Sequence, residues 1–225
     1  MTTTAPDGSS TALDWDEGRC GAALSQLEEL QTKPDHYEQN PIYWAISHAN
    51  GEIFRLLREV NACTQSAPYG ELRYGRSNLQ MAVELGSLEI VKLLIDAGAS
   101  VNEPPGKDRG ATSLQLAAIK GHPRIAKYLT DRGADINAAG AEYGGRSALE
   151  GAAEHGRIDM VHLLLEGAET TGKGQRQYLR AVKLAKQEGH FVVADQLRTY
   201  RLWTKEDEDM FAELWDADTE WEAEW

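Results

Sequence analysis

Five glycines keep step along the chain. Gly51, Gly86, Gly121, Gly156 and Gly189 are separated by 35, 35, 35 and 33 residues, and each stands between two short apolar runs. In the middle unit, ATSLQLAAIKGHPRIAKYLTDRGADIN from Ala111 to Asn137, the residues Leu114, Leu116, Ala117 and Ala118 precede Gly121, while Ile125, Ala126, Tyr128 and Leu129 follow it. That spacing predicts helix, tight turn, helix, with the glycine at a turn of positive φ. Neither helix is long enough to bury much by itself. The layout recurs upstream as SNLQMAVELGSLEIVKLLIDAGASVN from Ser77 and downstream as SALEGAAEHGRIDMVHLLLEGA from Ser147. Units of this kind bury their apolar stripes only by stacking on one another.

A period near 33 residues, with xLxxAAxxGHxxIxxxLxxxGAxxN written almost completely between Ala111 and Asn137, strongly resembles the ankyrin repeat. The resemblance runs roughly from Pro41 to Arg198. Three units, beginning at Ser77, Thr112 and Ser147, match well, and those around Gly51 and Gly189 read as degenerate terminal caps. It implies an all-α ankyrin-repeat solenoid of stacked helix-turn-helix units, with β-turn fingers at Asn61 to Arg76, Asn102 to Ala111 and Asn137 to Arg146. The family's Thr-Pro-Leu-His tetrapeptide is here Ser77-Asn78-Leu79-Gln80, Thr112-Ser113-Leu114-Gln115 and Ser147-Ala148-Leu149-Glu150. The hydroxyl remains to cap the first helix. The hydrogen bonds that the family's histidine makes between neighbours must pass to Gln or Glu, or be lost. The phrase GRSAL, Gly145 to Leu149, is similar to that of ankyrin proteins from filamentous fungi.

Four segments are expected. Residues 1–12, rich in Thr, Ser, Ala, Gly and Pro, read as a disordered N-terminus. Residues 13–40 read as an N-terminal capping helix and linker, or as the second half of a broken leading repeat, with Ala23, Leu24, Leu27 and Leu30 on one face. The ankyrin domain is expected over 41–202, about five repeats, with Lys183, Lys186, Gln187 and Glu188 on an exposed closing face. An acidic tail follows over 203–225. Net charge is −13, of which the tail, with ten acidic residues and one lysine, holds −9. Such a balance opposes direct nucleic-acid binding, whose affinity comes from neutralising phosphates.

No nucleophile elbow, zinc-protease, CxxC, Walker or dinucleotide motif is present, and Gly172-Lys173-Gly174 has neither the spacing nor the preceding strand of a phosphate cradle. Cys20 and Cys63 have no metal-ligand spacing, and His155 and His162 fall on different helices. No catalytic residue, cofactor or metal is expected. The N-terminus has no secretory signal pattern and no apolar run reaches membrane-spanning length. The expectation is a monomeric, soluble, intracellular protein, cytoplasmic or nuclear.

Recognition remains. The resemblance places binding at finger tips and at the exposed positions of the first helices, which together line a concave face. Carried onto this sequence, those positions are Arg73, Tyr74, Arg76, Glu84 and Leu85, then Asp108, Arg109, Ile119 and Lys120, then Tyr143, Arg146, Glu154 and His155. The set is rich in arginine and tyrosine, types enriched at interface hot spots. In the tail, Phe211, Leu214 and Trp215, and Trp221 with Trp225, have helical spacing amid acid. The pattern fits an activation-type motif that folds into a partner's groove, or a segment docked back on its own solenoid, for instance against Arg73, Arg76, Arg109 and Arg146. The function read from these features is a non-catalytic protein-interaction module, in its finer form a transcriptional coregulator that holds a transcription factor on the concave face. The alternatives are a plain cytoplasmic scaffold, or a small-molecule tailoring or cyclising enzyme whose groove is lined by Trp44, Tyr69, Tyr74 and Tyr143.

Overall fold

A computed structural model describes residues 46, 51, 76–106 and 110–222, with side chains in the last helix as far as Trp215. The expectations for 1–12 and 13–40, and those for Trp44, Tyr69, Arg73, Tyr74, Asp108, Arg109, Trp225 and the Trp221 side chain, lie outside the described residues.

The helices come in pairs: α1 (Asn78–Glu84) and α2 (Leu88–Asp96), α3 (Ser113–Lys120) and α4 (Pro123–Asp131), α5 (Ala148–Glu154) and α6 (Ile158–Leu165), and α7 (Gln175–Gln187) and α8 (Phe191–Tyr200). A last helix, α9 (Lys205–Glu222), follows. The helices α1, α3, α5, α7 and α9 pack in succession as one row, and α2, α4 and α6 form the second row behind it. The expected all-α solenoid is what the chain forms, and its register is the one the glycines set: Gly86, Gly121, Gly156 and Gly189 all have φ between 64 and 78°.

Sequence decides how close the units approach. Four residues before the four glycines, Ala82, Ala117, Ala152 and Ala185 occupy one register position and are all fully buried. A methyl group there lets each first helix sit directly on the next. In the second helices, Leu94, Leu129, Leu164 and Leu197 repeat in the same way, each fully buried, and each such leucine stabilises by about 1.5–3 kcal/mol. A turn glycine also serves its neighbour. A Cβ on Gly86 would stand 2.8 Å from His122 Cε1, because the turn of one repeat lies beneath the turn residue of the next.

Each of the three matching repeats starts with a reciprocal cap. Ser77, Thr112 and Ser147 accept from the backbone N–H of Gln80, Gln115 and Glu150, whose side chains accept from the cap backbone in return. The glutamines also supply the bonds for which the family uses histidine. Gln80 Nε2 donates to Pro104 O at 3.2 Å, and Gln115 Nε2 donates to Ala138 O and Ala139 O at 3.0 and 2.9 Å. Glu150 has no proton to give, and instead meets Arg180 Nε at 3.4 Å. A second ladder runs through the asparagines that close each unit: Asn102 bridges Gly133 O and Asp135 N, and Asn137 bridges Gly167 O and Glu169 N.

Candidate interaction face

The candidate face is the outer edge of the first-helix row with the fingers above it. Its charges are largely satisfied by one another. Arg76 pairs with Glu84, and Lys120 Nζ of the next repeat reaches the same carboxylate at 3.2 Å. Arg146 clamps Glu154 with Nε and Nη2 at 2.9 and 3.1 Å. Arg76/Glu84 and Arg146/Glu154 hold equivalent positions in the first and third repeats, and the second has Ala111 and Ile119 there. The ridge therefore alternates ion pair, apolar pair, ion pair.

Between the turns, His122 Nε2 lies 3.4 Å from Glu84 O. Burial lowers the His122 pKa, and the cations Arg157 and Lys120 lower it further. The ring is held neutral, and it joins two repeats.

What this face leaves exposed is a row of dissimilar side chains just ahead of the turn glycines. Leu85 is 49% exposed, and Lys120 and His155 at the matching positions are also open to solvent. Tyr143 stands at a finger tip, 62% exposed. Its finger is tight: a Cβ on Gly145 would fall on the backbone of Ala141, so only glycine closes that loop. So placed, Tyr143 projects to solvent. Among the described residues no three His, Cys, Asp or Glu side chains come together to hold a metal, and His162 is taken by Gln196 Nε2 at 2.9 Å.

The described part of the tail lies against its own solenoid. The side chain of Leu214 is buried in the common core, Phe211 packs against that core, and Trp215 remains 39% exposed. Trp203 meets Phe211 edge-on at 5.2 Å, Phe211 meets Trp215 at 5.9 Å, and Arg198 lies 4.0 Å over the Trp203 ring. The docking is onto the last helix pair. There Asp207, 1% exposed, accepts from Arg201 at 2.7 and 2.8 Å, from Gln175 at 2.9 Å and from Thr204 N at 2.7 Å. Bonding to the Arg201 guanidinium holds the Asp207 carboxyl far below the usual carboxylate range against the opposing effect of burial, with Thr204 and Gln175 adding donors.

Of the expected closing face Gln187 and Glu188 are exposed and Lys186 is half-buried, whereas Lys183 is 5% exposed and donates to Leu214 O. Lys183 stands six residues before Gly189, as Gln80, Gln115 and Glu150 stand six before their glycines. The tail helix thus receives the bond that a following finger receives elsewhere. It also starts like a repeat, because Thr204 and Asp207 form the same reciprocal cap as Ser77 and Gln80. Nine residues after each N-cap a repeat turns at glycine, whereas α9 has Glu213 and continues to Glu222.

Sequence reasoning passed over the inner face of α7. Arg176, Arg180, Lys183, Leu184 and Gln187 border a cleft of about 340 Å³ with Arg146 and Leu214. Carrying the glycine register forward by one unit finds them, since Arg176 occupies the place of Arg73 and Tyr143.

Stacked helical pairs with a side-chain ladder define a repeat solenoid, a class that recognises other molecules across a surface assembled from successive units. The family described as Ankyrin repeats (3 copies) matches residues 19–105 and 79–173, over half of the chain, and the chain belongs to the ankyrin-repeat family. The match takes in the leading segment from residue 19 and stops short of α7, α8 and α9. No curated protein sequence matches the chain. Ankyrin repeats generally mediate protein–protein interaction, and proteins built from them are typically non-catalytic. Among the described residues no helix is long and apolar enough to cross a membrane.

Proposed function

We propose that the chain is a non-catalytic interaction module that holds a protein partner on the finger side of its first-helix row. What supports this reading is the pairing pattern of that face. Its half-buried charges are fixed by one another, while Leu85, Lys120, His155 and Tyr143 are left to solvent on a rigid frame. Ordered surroundings with a few projecting, chemically mixed groups limit the entropy lost on binding. Capture from native cell extract tests it, comparing the natural chain with Leu85→Asp combined with Tyr143→Ala. These exposed substitutions leave the fold intact, so loss of the retained protein supports the face, and unchanged capture by the double variant refutes it.

The finer form is a transcriptional coregulator that holds a transcription factor there and offers its tail to other machinery. It draws on the acid and tryptophan of residues 203–225. The docking of α9 weakens that support, because Leu214 and Phe211 are already engaged. A reporter carrying the tail fused to a DNA-binding domain checks it: activation that vanishes when Phe211, Leu214 and Trp215 become Ala supports the coregulator, and no activation removes it.

A further inference from the structure

We propose that two copies of the chain associate through the exposed face of α8, with their α8 helices packed antiparallel about a two-fold axis. The surface lies on the second row of helices, not on the first-helix row where the fingers stand, so the inference is independent of the partner face described above.

The helix α8 belongs to the second row, because Gln196 Nε2 meets His162 and Tyr200 Oη donates to Leu165 O, both in α6. In that row one register position reaches towards the following unit. Six residues after the turn glycine, Lys92 lies 5.6 Å over the Tyr128 ring of the next repeat, and His162 bonds Gln196 in the same way. The matching residue of α8 is Asp195, which is exposed and has no ion pair with a described residue. Among the described residues α9 extends the first row past α7, and nothing extends the second row past α8. The side of α8 that elsewhere meets a neighbour is therefore open. Phe191 and Val192 are 69 and 64% exposed at its start, and Tyr200 and Leu202 are 51 and 94% exposed at and beyond its end. At the place of Phe191 the first repeat has Leu88, half-buried against the core. Large apolar side chains left open along one helix mark an association surface.

The order of chemistry along the helix selects a second copy as the occupant. Phe191, Asp195 and Arg198 share one stripe by spacings of four and three, and Leu202 comes four residues further on. From either end the order is apolar, charged, charged, apolar, and the two charges are opposite. An antiparallel copy therefore sets Phe191 against Leu202 at both ends and Asp195 against Arg198 twice in the middle. A two-fold contact requires this self-matching, since residue i meets j and j meets i. A parallel copy would set Asp195 against Asp195. Arg198 is already oriented: Nη2 lies 2.6 Å from Glu208, the guanidinium lies over the Trp203 ring, and its side chain remains 40% exposed. With five N–H donors it can serve a second carboxylate. So few side chains put the contact at the small end of specific interfaces, below about 1,200 Å² in total, and a reversible dimer of roughly 10–100 μM is expected.

Sedimentation equilibrium of the full chain measures it, at about 0.15 M salt, where a screening length of about 8 Å limits repulsion between two copies of net charge −13. The mass should rise from 24.8 kDa towards twice that value as concentration passes from about 5 to about 300 μM. Amide exchange over residues 191–202 should slow at the upper end. Asp195→Lys sets like charges together at both symmetric contacts and should weaken the dimer about tenfold or more. Phe191→Ser, which removes an apolar group at both, should do the same, whereas Asp195→Glu should leave the dimer intact. These positions are exposed, and a melting curve at low concentration verifies that each variant is folded. A monomer throughout the range, a dimer indifferent to Asp195→Lys and Phe191→Ser, or protection that falls outside α8 overturns the proposal.

Discussion

The three matching repeats and the C-terminal end solve the same problem with different chemistry. Between the repeats, neutral side chains reach neighbouring backbone: Gln80 and Gln115 bond the next finger, and Asn102 and Asn137 bond the next turn. Beyond them, in α7, the corresponding position is Lys183, and α9 is held by a buried Arg201–Asp207 pair and an aromatic stack. Neutral ladders can be repeated indefinitely because every unit offers the same carbonyls. The helix α9 occurs once, and a charged clamp specifies one docking geometry for one helix, since each charge is costly to bury without its own partner.

The largest way to break the comparison is to remove the clamp. Asp207→Ala leaves the Arg201 guanidinium, itself 15% exposed, without its carboxylate and strips three further donors of their acceptor. The expected cost is about 3–5 kcal/mol. It should fall on α9 first: amide hydrogen exchange along α9 should rise to that of a free peptide while α3 and α4 keep their protection. Loss of protection throughout the chain at the same denaturant concentration would mean that end and repeats form one cooperative unit. For the same reason truncation after Tyr200 should expose Tyr178 and Leu197, now fully buried, and lower the melting temperature.

The clamp also has a pH signature. The folded Asp207 pKa lies below the unfolded value of about 3.9, so its contribution is complete above that pH and is lost as pH falls below it. Tryptophan fluorescence should report release of the Trp203, Phe211 and Trp215 stack in acid, and the step should disappear in Asp207→Asn.

Within the repeats the corresponding test is smaller. Gln115→Ala removes the acceptor of Thr112 N and the donor to Ala138 O and Ala139 O at a position 1% exposed. About 2–3 kcal/mol is expected in urea unfolding, from lost bonds and groups left unpaired. Gln115→His, the residue type that the family resemblance places there, should recover much of it. If it recovers nothing, the amide is wanted for both its acceptor and its donor, as the cap requires.

These tests also mark what the sequence discloses. Glycine spacing and the alanine and leucine positions are local periodicities, and they reveal the stack because each unit packs by the same rule. The tail was ambiguous for a physical reason. A stripe of Phe211, Leu214 and Trp215 fits any apolar surface of matching shape, and the spacing says nothing of whose surface it is. Lys183 read as exposed because lysine ordinarily is; only its register with Gln80, Gln115 and Glu150 marks it as a bonding position. The Thr204–Asp207 box was legible as a helix start, yet its second use, holding Arg201, arises from a meeting in space. Of the face residues, Arg76, Glu84, Arg146 and Glu154 were legible as charges but not as each other's partners.

The smallest effect sharpens the comparison from the side of the repeats. Theirs is a mostly uncharged seam, and His122 is the place where it titrates. Its folded pKa is below the ordinary 6.5, so the neutral ring is favoured in the stack and its contribution is present above that pH. As pH falls below about 6.5 the unfolded chain takes up a proton that the stacked ring, desolvated beside Arg157 and Lys120, resists, and the seam between the first two matching repeats should lose stability. The decline should be slight, visible between pH 7.5 and 5.5 as a small fall in urea midpoint, with Asp207 still fully ionised. His122→Asn should flatten it. If the fall survives in His122→Asn, titration elsewhere governs the seam. If it vanishes, repeats and end are separated by pH as well as by chemistry, the one yielding near neutrality and the other only in strong acid.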